Sequence, residues 1–393
     1  MPAELRREDG SGGAGAEMPH LPNGHGRSAA DPMTSPEIAQ RRLRRQRLAG
    51  APFACPEEAV QWLGAVQAQD YAGAKWALGL RSRGTTSAAV DQALAAGAFL
   101  RTHVLRPTWH LVSAADIRWL LMLTAPHVHA ANAPYYRRVG LDDDLFRRSN
   151  AALARALEGG QQRTRAELIA ELQQAGFVTD ALGYLYLLMH AELDAVICSG
   201  ALRGKWHTYA LLKERAPQAR TLERDEALAE LTTRYFASHG PVTLNDFRWW
   251  SGLPATAVRR GIDLVKGHLR QELVNGETYW DAPTPPLAAP ASPVAHLLPN
   301  YDEYLVGYRD RRAVYDPVDL KALGTRGDIL STHTIVLDGQ VVGVWKRTLT
   351  KDAVAIEARP FRPLDAAEYR AVVAAAERYS SFVGLPLQFQ LRP

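Results

Sequence analysis

Three times along this chain, sequence of helical period gives way to two short β-like runs around a Gly or polar turn. That recurrence limits the possible folds more than any other feature. The first instance holds CPEEAVQWLGAV, SAAVDQALAAGAF and LRTHVLRPTWHLV; the second holds TRAELIAELQQAG, ALGYLYLLMHAELDAV and ICSGALRGKWHTYAL. The third holds RDEALAELTTRYFASHG, TLNDFRWWSGLPATAVRRGIDLV and ELVNGETYW, in which Asn275-Gly276 is a strong hairpin-turn pair. Helices followed by a hairpin read as winged-helix modules, the helix-turn-helix variant that carries a β-hairpin. These units are expected at 35–112, 159–216 and 221–282, with linking helices over 113–158. Thr164 and Thr243 are the expected N-caps within the second and third.

The rest of the chain departs from that pattern. Residues 1–34 are rich in Gly, Pro, Ala and charge without an apolar period, and are expected to be a disordered tail. Ser35 then suits an N-cap, Pro36 a first helical turn, and Gly50 the end of the run SPEIAQRRLRRQRLAG. The Pro-rich segment Asp281 to Pro293 reads as a connector. Beyond it, alternating apolar and polar residues with Asp338-Gly339 at a turn predict a β-meander, closed by the helix DAAEYRAVVAAAERYSSFVG. The expected fold class is therefore mainly α with short β-hairpins: three tandem winged helices plus a C-terminal β-rich, barrel-like domain over 283–393.

Composition narrows the function classes. No run approaches the roughly 18 apolar residues of a membrane span, and the N-terminus lacks the apolar core of a signal peptide, so a cytoplasmic protein is expected. Cys55 and Cys198 lie far apart in sequence, which argues against disulfides and zinc or iron–sulfur sites. Only HVH (His127, His129) and HAELD (His190, Asp194) have spacings that suggest metal, and both sit in helical stretches where packing is the ordinary reading. No Walker loop, GxGxxG after a strand, HExxH or GxSxG occurs, so no metal and no cofactor are expected. Of 46 basic residues, 39 are arginines, and the net charge is +4. Arginine suits two-point phosphate binding, although a GC-rich genome would enrich it as well.

The short stretch VQAQD poses the sharpest question. Residues i and i+2 point to different sides of an α-helix but share a face in extended chain. Gln67 and Gln69 are therefore a two-amide clamp if the preceding helix has already ended, and a helix cap otherwise.

Several further segments carry a family likeness: RRLRRQRLAGAP, VQAQD, LRTHVLRPTWHLV, ICSGALRGKWHTYALLKERAP, DFRWWSGL and LLPNYDEYLVGYRDR. In that order, from about residue 36 to the end, the chain resembles the AlkZ-like winged-helix DNA glycosylases. The resemblance implies a C-shaped cleft for duplex DNA and excision of N7-alkylated or bulky guanine adducts. In some members it extends to unhooking interstrand crosslinks or to self-resistance in bacteria that make DNA-alkylating natural products. The family signature is glutamine, an apolar residue, then glutamine or aspartate. Its first form falls on Gln67, Ala68 and Gln69, which implies a catalytic role for the two glutamines and none for Asp70.

The basic residues supply the candidate DNA contacts. Arg41, Arg44 and Arg45 lie on the cationic first helix. Arg101, His103, Arg106, Thr108 and His110 follow a period of two along the first hairpin, where they are expected to line one face and contact phosphates. Arg203, Lys205, Trp206 and His207 sit at the tip or flank of the second, an aromatic among cations suited to insertion or stacking. Asp302, Tyr304, Tyr308 and Arg309 are read as bolting the C-terminal domain in place, and Trp249 to Gly252 as core. The partner expected is duplex DNA carrying alkylated guanine, bound by a monomer in a bacterial, nucleoid-associated setting. A winged-helix transcription regulator, or a protein that shields lesions without cutting, would share the binding but leave no abasic site.

Overall fold

The computed structural model describes residues 33–283, 292–315 and 328–392. The expected tail therefore lies outside the described residues except at its end, where Met33 is buried and donates its N–H to Glu272 Oε1 at 2.9 Å. Most of the Pro-rich connector also falls outside. Helix α1 (Ser35–Arg45) is capped by Thr34, one residue before the expected cap, because the Glu37 carboxylate folds back onto the Thr34 N–H at 2.8 Å.

The next elements are α2 (Pro56–Leu63), β1 (Val66–Gln67), α3 (Tyr71–Arg81), α4 (Ser87–Ala96), β2 (Phe99–Val104) and β3 (Arg106–Ser113). The strands form a sheet of order β1-β3-β2. Two linking helices follow, α5 (Ile117–Arg138) and α6 (Asp143–Leu157). The second group comprises β4 (Arg163–Thr164), α7 (Arg165–Gln174), α8 (Ala181–Leu193), β5 (Ile197–Ser199) and β6 (Thr208–Leu211), with sheet order β4-β6-β5. After the single turn α9 (Leu212–Arg215), the third group has α10 (Arg224–His239), α11 (Leu244–Ser251), α12 (Ala255–Val265) and the hairpin β7 (Arg270–Val274) and β8 (Glu277–Asp281).

The other short-range expectations, at Thr164, Thr243 and Asn275-Gly276, hold. Thr164 Oγ1 accepts from Glu167 N–H and Thr243 Oγ1 from Asp246 N–H, at 3.3 and 3.1 Å. Asn275 and Gly276 turn the third hairpin with φ of 52° and 80°, the left-handed pair that a two-residue hairpin needs.

The C-terminal region is where the expected architecture needs correction. Strands β9 (Ala295–Leu298), β10 (Thr334–Leu337), β11 (Gln340–Leu349), β12 (Val354–Pro360) and β13 (Leu387–Leu391) form one sheet of order β13-β12-β11-β10-β9. Its edge strands β9 and β13 do not pair with each other among the described residues, so it is an open sheet and not a barrel. Strand β13 runs parallel to β12, a direction no hairpin can produce; the long helix α14 (Ala366–Val383) makes the crossover. With four sheets among the helices of the described residues, the fold is mixed α and β, where the sequence suggested mainly α.

Core packing ties these groups together. Leu63, Val66 and Leu78 share a hydrophobic cluster with Leu297, Ile335, Trp345 and Tyr379, so the first group and the C-terminal sheet close over one core. The opposite face of the first sheet, through Leu100 and Val104, packs with Trp119, Tyr235 and Trp250. The β2–β3 turn also meets the third group. Gly252, at φ 69° after α11, comes so near that an added Cβ would stand 2.2 Å from the Leu105 carbonyl oxygen. No helix among the described residues is long and apolar enough to cross a membrane.

Candidate nucleic-acid site

Helix α2 stops at Leu63, and Gly64 takes φ 80° to reverse the chain while its N–H bonds to Val60 O. Three residues later the backbone is a strand: Val66 pairs with Leu111 and Gln67 with His110. The extension continues past β1, because Ala68 N–H donates to Trp109 O at 2.7 Å. It gives way to a bend at Gln69 and Asp70, and the Asp70 carboxylate accepts from Gly73 N–H and caps α3. Neither glutamine caps α2. Gln67 lies in strand β1, and Gln69 in the bend between that strand and the cap of α3.

The two amides have different surroundings. Gln67 is 6% exposed, and its Oε1 accepts from Arg106 Nη2 at 2.9 Å. Gln69 is exposed, and its Oε1 meets Trp109 N–H only at 3.4 Å. An amide oxygen has two lone pairs, so each retains acceptor capacity.

Behind Gln67 stands Glu303, which the sequence did not single out. It opens the single turn α13 (Glu303–Val306) and is fully buried. Its carboxylate accepts from the Gln67 backbone N–H at 3.0 Å and from Trp250 Nε1 at 3.0 Å, with His239 Nε2 at 3.4 Å. A buried carboxylate needs such donors to stay charged. Its charge opposes burial at Arg106, whose guanidinium pKa burial lowers. The only hint in the sequence was an acidic pair inside the apolar run YDEYLVG. Its neighbours Asp302, Tyr304 and Tyr308 are structural, as expected. Asp302 makes a two-point ion pair with Arg81 at 2.9 and 2.8 Å, both side chains fully buried. Tyr304 Oη donates to Gly339 O, and Tyr308 Oη to His239 O.

The first hairpin does not present one polar face. Arg101 pairs with Leu111 and His103 with Trp109, whereas Thr102, His110 and Gln67 line up across the other side. A bulge between His103 and Val104, with Leu105 at φ 64°, breaks the period of two at the turn. Arg101 is buried, donates Nε to Ala68 O and lies over the Trp109 ring. His103 is buried against the Glu192 carboxylate of α8. His110 is fully buried beside Gln67, and burial first, then the Arg106 charge, pushes its pKa well below the usual histidine range. These three residues are withdrawn from direct phosphate contact. Arg106 and Thr108 are half-buried, and the Thr108 hydroxyl oxygen is itself shut off from solvent. Trp249, expected in the core, is half-exposed: Arg106 and Arg311 both lie over its ring, and its Nε1 donates to Val306 O.

The cationic first helix is largely turned inward. Arg45 is buried on Asp281 at 2.5 Å, where burial lowers the arginine's pKa and raises the aspartate's against their attraction. Arg41 pairs with Glu272 at 3.4 Å, and Arg44 is half-buried. At the second hairpin, Arg203 and Trp206 exchange backbone hydrogen bonds around Gly204. Trp206 is 63% exposed with Lys205 Nζ above its ring, while Arg203 holds Glu167 at 2.7 Å. His207 turns inward and meets Tyr71, two residues beyond Gln69, ring edge to face at 4.8 Å. That contact places the second hairpin beside the glutamine segment.

The family model described as DNA glycosylase AlkZ-like matches residues 60–382. The chain is 25% identical over 319 residues to the interstrand DNA cross-link repair glycosylase of Streptomyces sahachiroi, covering 78% of this chain and 85% of that protein. The structure of Streptomyces sahachiroi DNA glycosylase AlkZ superposes with a TM-score of 0.73 at 21% identity, over 91% of this chain and 100% of that one, and shares its fold.

Proposed function

The chain belongs to the DNA glycosylase AlkZ-like family, an enzyme family acting on DNA, and from that premise we propose that it excises N7-alkylated or bulky guanine adducts from duplex DNA by hydrolysis. The name of the Streptomyces relative supports extending the substrates to interstrand crosslinks. On this reading the three helix-and-hairpin groups act as winged helices, the protein works as a monomer, and the setting is repair or self-resistance in a bacterial cell.

The observation that carries the reading is that neither glutamine lies in a helix: Gln67 is in β1 and exposed Gln69 follows two residues later. Alkylation at N7 makes the base a cationic leaving group, so no general acid is required, and the sugar gains oxocarbenium character as the bond breaks. Amides are too weakly basic to deprotonate water. They can still hold a water on the correct face and turn carbonyl dipoles toward the developing cation. Asp70 is occupied as the cap of α3. Gln67, fixed by Arg106 and by Glu303 through its backbone, supplies a rigid acceptor; exposed Gln69 supplies one that substrate can engage. Trp206, Lys205, Arg203, Arg106, Arg41 and Arg44 are the proposed DNA contacts. Reaction by water rather than an amine leaves an abasic site and free modified base.

Duplex DNA carrying one N7-methylguanine or one bulky N7 adduct, followed by alkali, tests this. Under single-turnover conditions the wild type should give strand breaks, and Gln67→Ala and Gln69→Ala should each lower the rate at least tenfold, about 1.4 kcal/mol of transition-state stabilisation. Binding without breaks on both substrates would sink the proposal and leave a regulator or lesion shield.

A further inference from the structure

The HVH and HAELD motifs, separate in sequence, meet where α5 and α8 come together. His129 Nε2 lies 3.3 Å from one oxygen of Asp194, and His190 Nδ1 lies 3.0 Å from the other. The ligand atoms of the three residues all fall within 4.8 Å of one another. Both nitrogens are shut off from solvent, yet neither has an aligned hydrogen-bond partner among the described residues.

Close approach without alignment has a specific meaning. A histidine donating to a carboxylate points its N–H along the line to the oxygen. A histidine ligating a metal points its lone pair at the ion instead, and the carboxylate oxygen sits to one side. Tetrahedral coordination with bonds of about 2.0–2.1 Å puts neighbouring donor atoms roughly 3.3–3.4 Å apart, which is the separation of His129 Nε2 from its Asp194 oxygen, while the three ligand atoms together fall within 4.8 Å.

The surroundings fit a cation. Asp194 closes the C-terminus of α8, where the helix dipole is negative. His129 Nδ1 faces the Tyr136 hydroxyl at 3.3 Å, which orients the ring and leaves Nε2 for an ion, as outer hydrogen bonds do for ligating histidines. Asn150 Nδ2 donates to Asp194 Oδ2 at 2.6 Å, and the His190 ring stacks on Phe146 at 3.7 Å. The three side chains are partly exposed.

We propose that His129, His190 and Asp194 bind one divalent late transition-metal ion, zinc by its ligand set, clipping α5 to α8. Glu192, two residues from His190 on α8, holds His103 of the first hairpin, so the clip also steadies the helix behind that hairpin.

Untagged full-length protein, stripped with a chelator, should be titrated with Co2+ alone. One equivalent should bind and give visible ligand-field bands that Zn2+ abolishes, and Zn2+ should raise Tm. His190→Ala and Asp194→Asn should weaken binding by about tenfold or more. His127→Ala, next to the site but outside it, should leave binding unchanged. If His190→Ala loses its far-UV circular dichroism through the lost stack on Phe146, the near-isosteric Asp194→Asn decides. No stoichiometric binding by the wild type, or equal affinity in a folded Asp194→Asn protein, would overturn the proposal.

Discussion

The β1-β3-β2 and β4-β6-β5 sheets share a strand order and a two-residue leading strand, but they leave that strand differently. In the second sheet, Thr164 is both the last residue of β4 and the N-cap of α7. In the first, two more residues, Ala68 and Gln69, lie between the end of β1 and the cap Asp70. That extra length puts two amides where the second sheet has only a cap. The backing differs too. The first sheet rests on Glu303 and, through α3, on the buried Arg81–Asp302 pair, both supplied from more than 200 residues away. The cap of the second is a local Thr164–Glu167 exchange. A shared topology thus becomes a candidate site only where remote buried charge holds the exposed chain.

The comparison can be broken most severely at Asp302. Asp302→Ala leaves the Arg81 guanidinium buried without its carboxylate and should cost about 3–5 kcal/mol, read as a lower urea midpoint. Because Glu303 is the next residue, excision should fall as well. Glu303→Gln keeps the shape but removes the charge. The single-turnover rate should drop about tenfold, some 1.4 kcal/mol, while DNA affinity stays nearly constant, since the side chain is buried away from ligand. A loss of affinity equal to the loss of rate would show that Glu303 merely supports the fold.

At the second sheet the expected effects are smaller and separable. Thr164→Ala removes the cap of α7 and should cost about 1 kcal/mol of stability, with excision per folded molecule unchanged. The contact between the two sheets sharpens the comparison through pH. Burial first, then the charge of Arg101, lowers the His207 pKa to about 4 against Tyr71. The unfolded chain therefore takes the proton first as pH falls. This contribution to stability is complete above about pH 6.5, the unperturbed histidine value, and is lost between there and about 4. Urea midpoints across that window should slope less in His207→Gln than in the wild type.

Residues whose conformation depends on near neighbours were legible from the sequence. Asn275-Gly276 and Asp338-Gly339 turn hairpins because they tolerate positive φ, and Thr164 and Thr243 cap because their hydroxyls reach an N–H three residues on. That Gln67 and Gln69 lie beyond the end of α2 was one of the two alternatives their spacing left open. What failed was the expected facing of residues along the first hairpin and on α1. A period of two placed Arg101, His103 and His110 together, and one bulge with Leu105 at positive φ divided them between opposite faces. A period of 3.6 marked α1 as cationic but could not show Glu272 and Asp281 waiting for Arg41 and Arg45.

The chain by itself therefore determined its helices, turns and caps, and the position of the glutamine pair, because these depend on torsional preference and hydrogen bonds spanning a few residues. Only the tertiary structure decided which charges are buried, that Glu303 stands behind Gln67, that β13 joins its sheet in parallel, and that His129 meets Asp194. Those outcomes depend on groups brought together across tens to hundreds of residues, where burial makes an unpaired charge costly and so fixes which partners must meet.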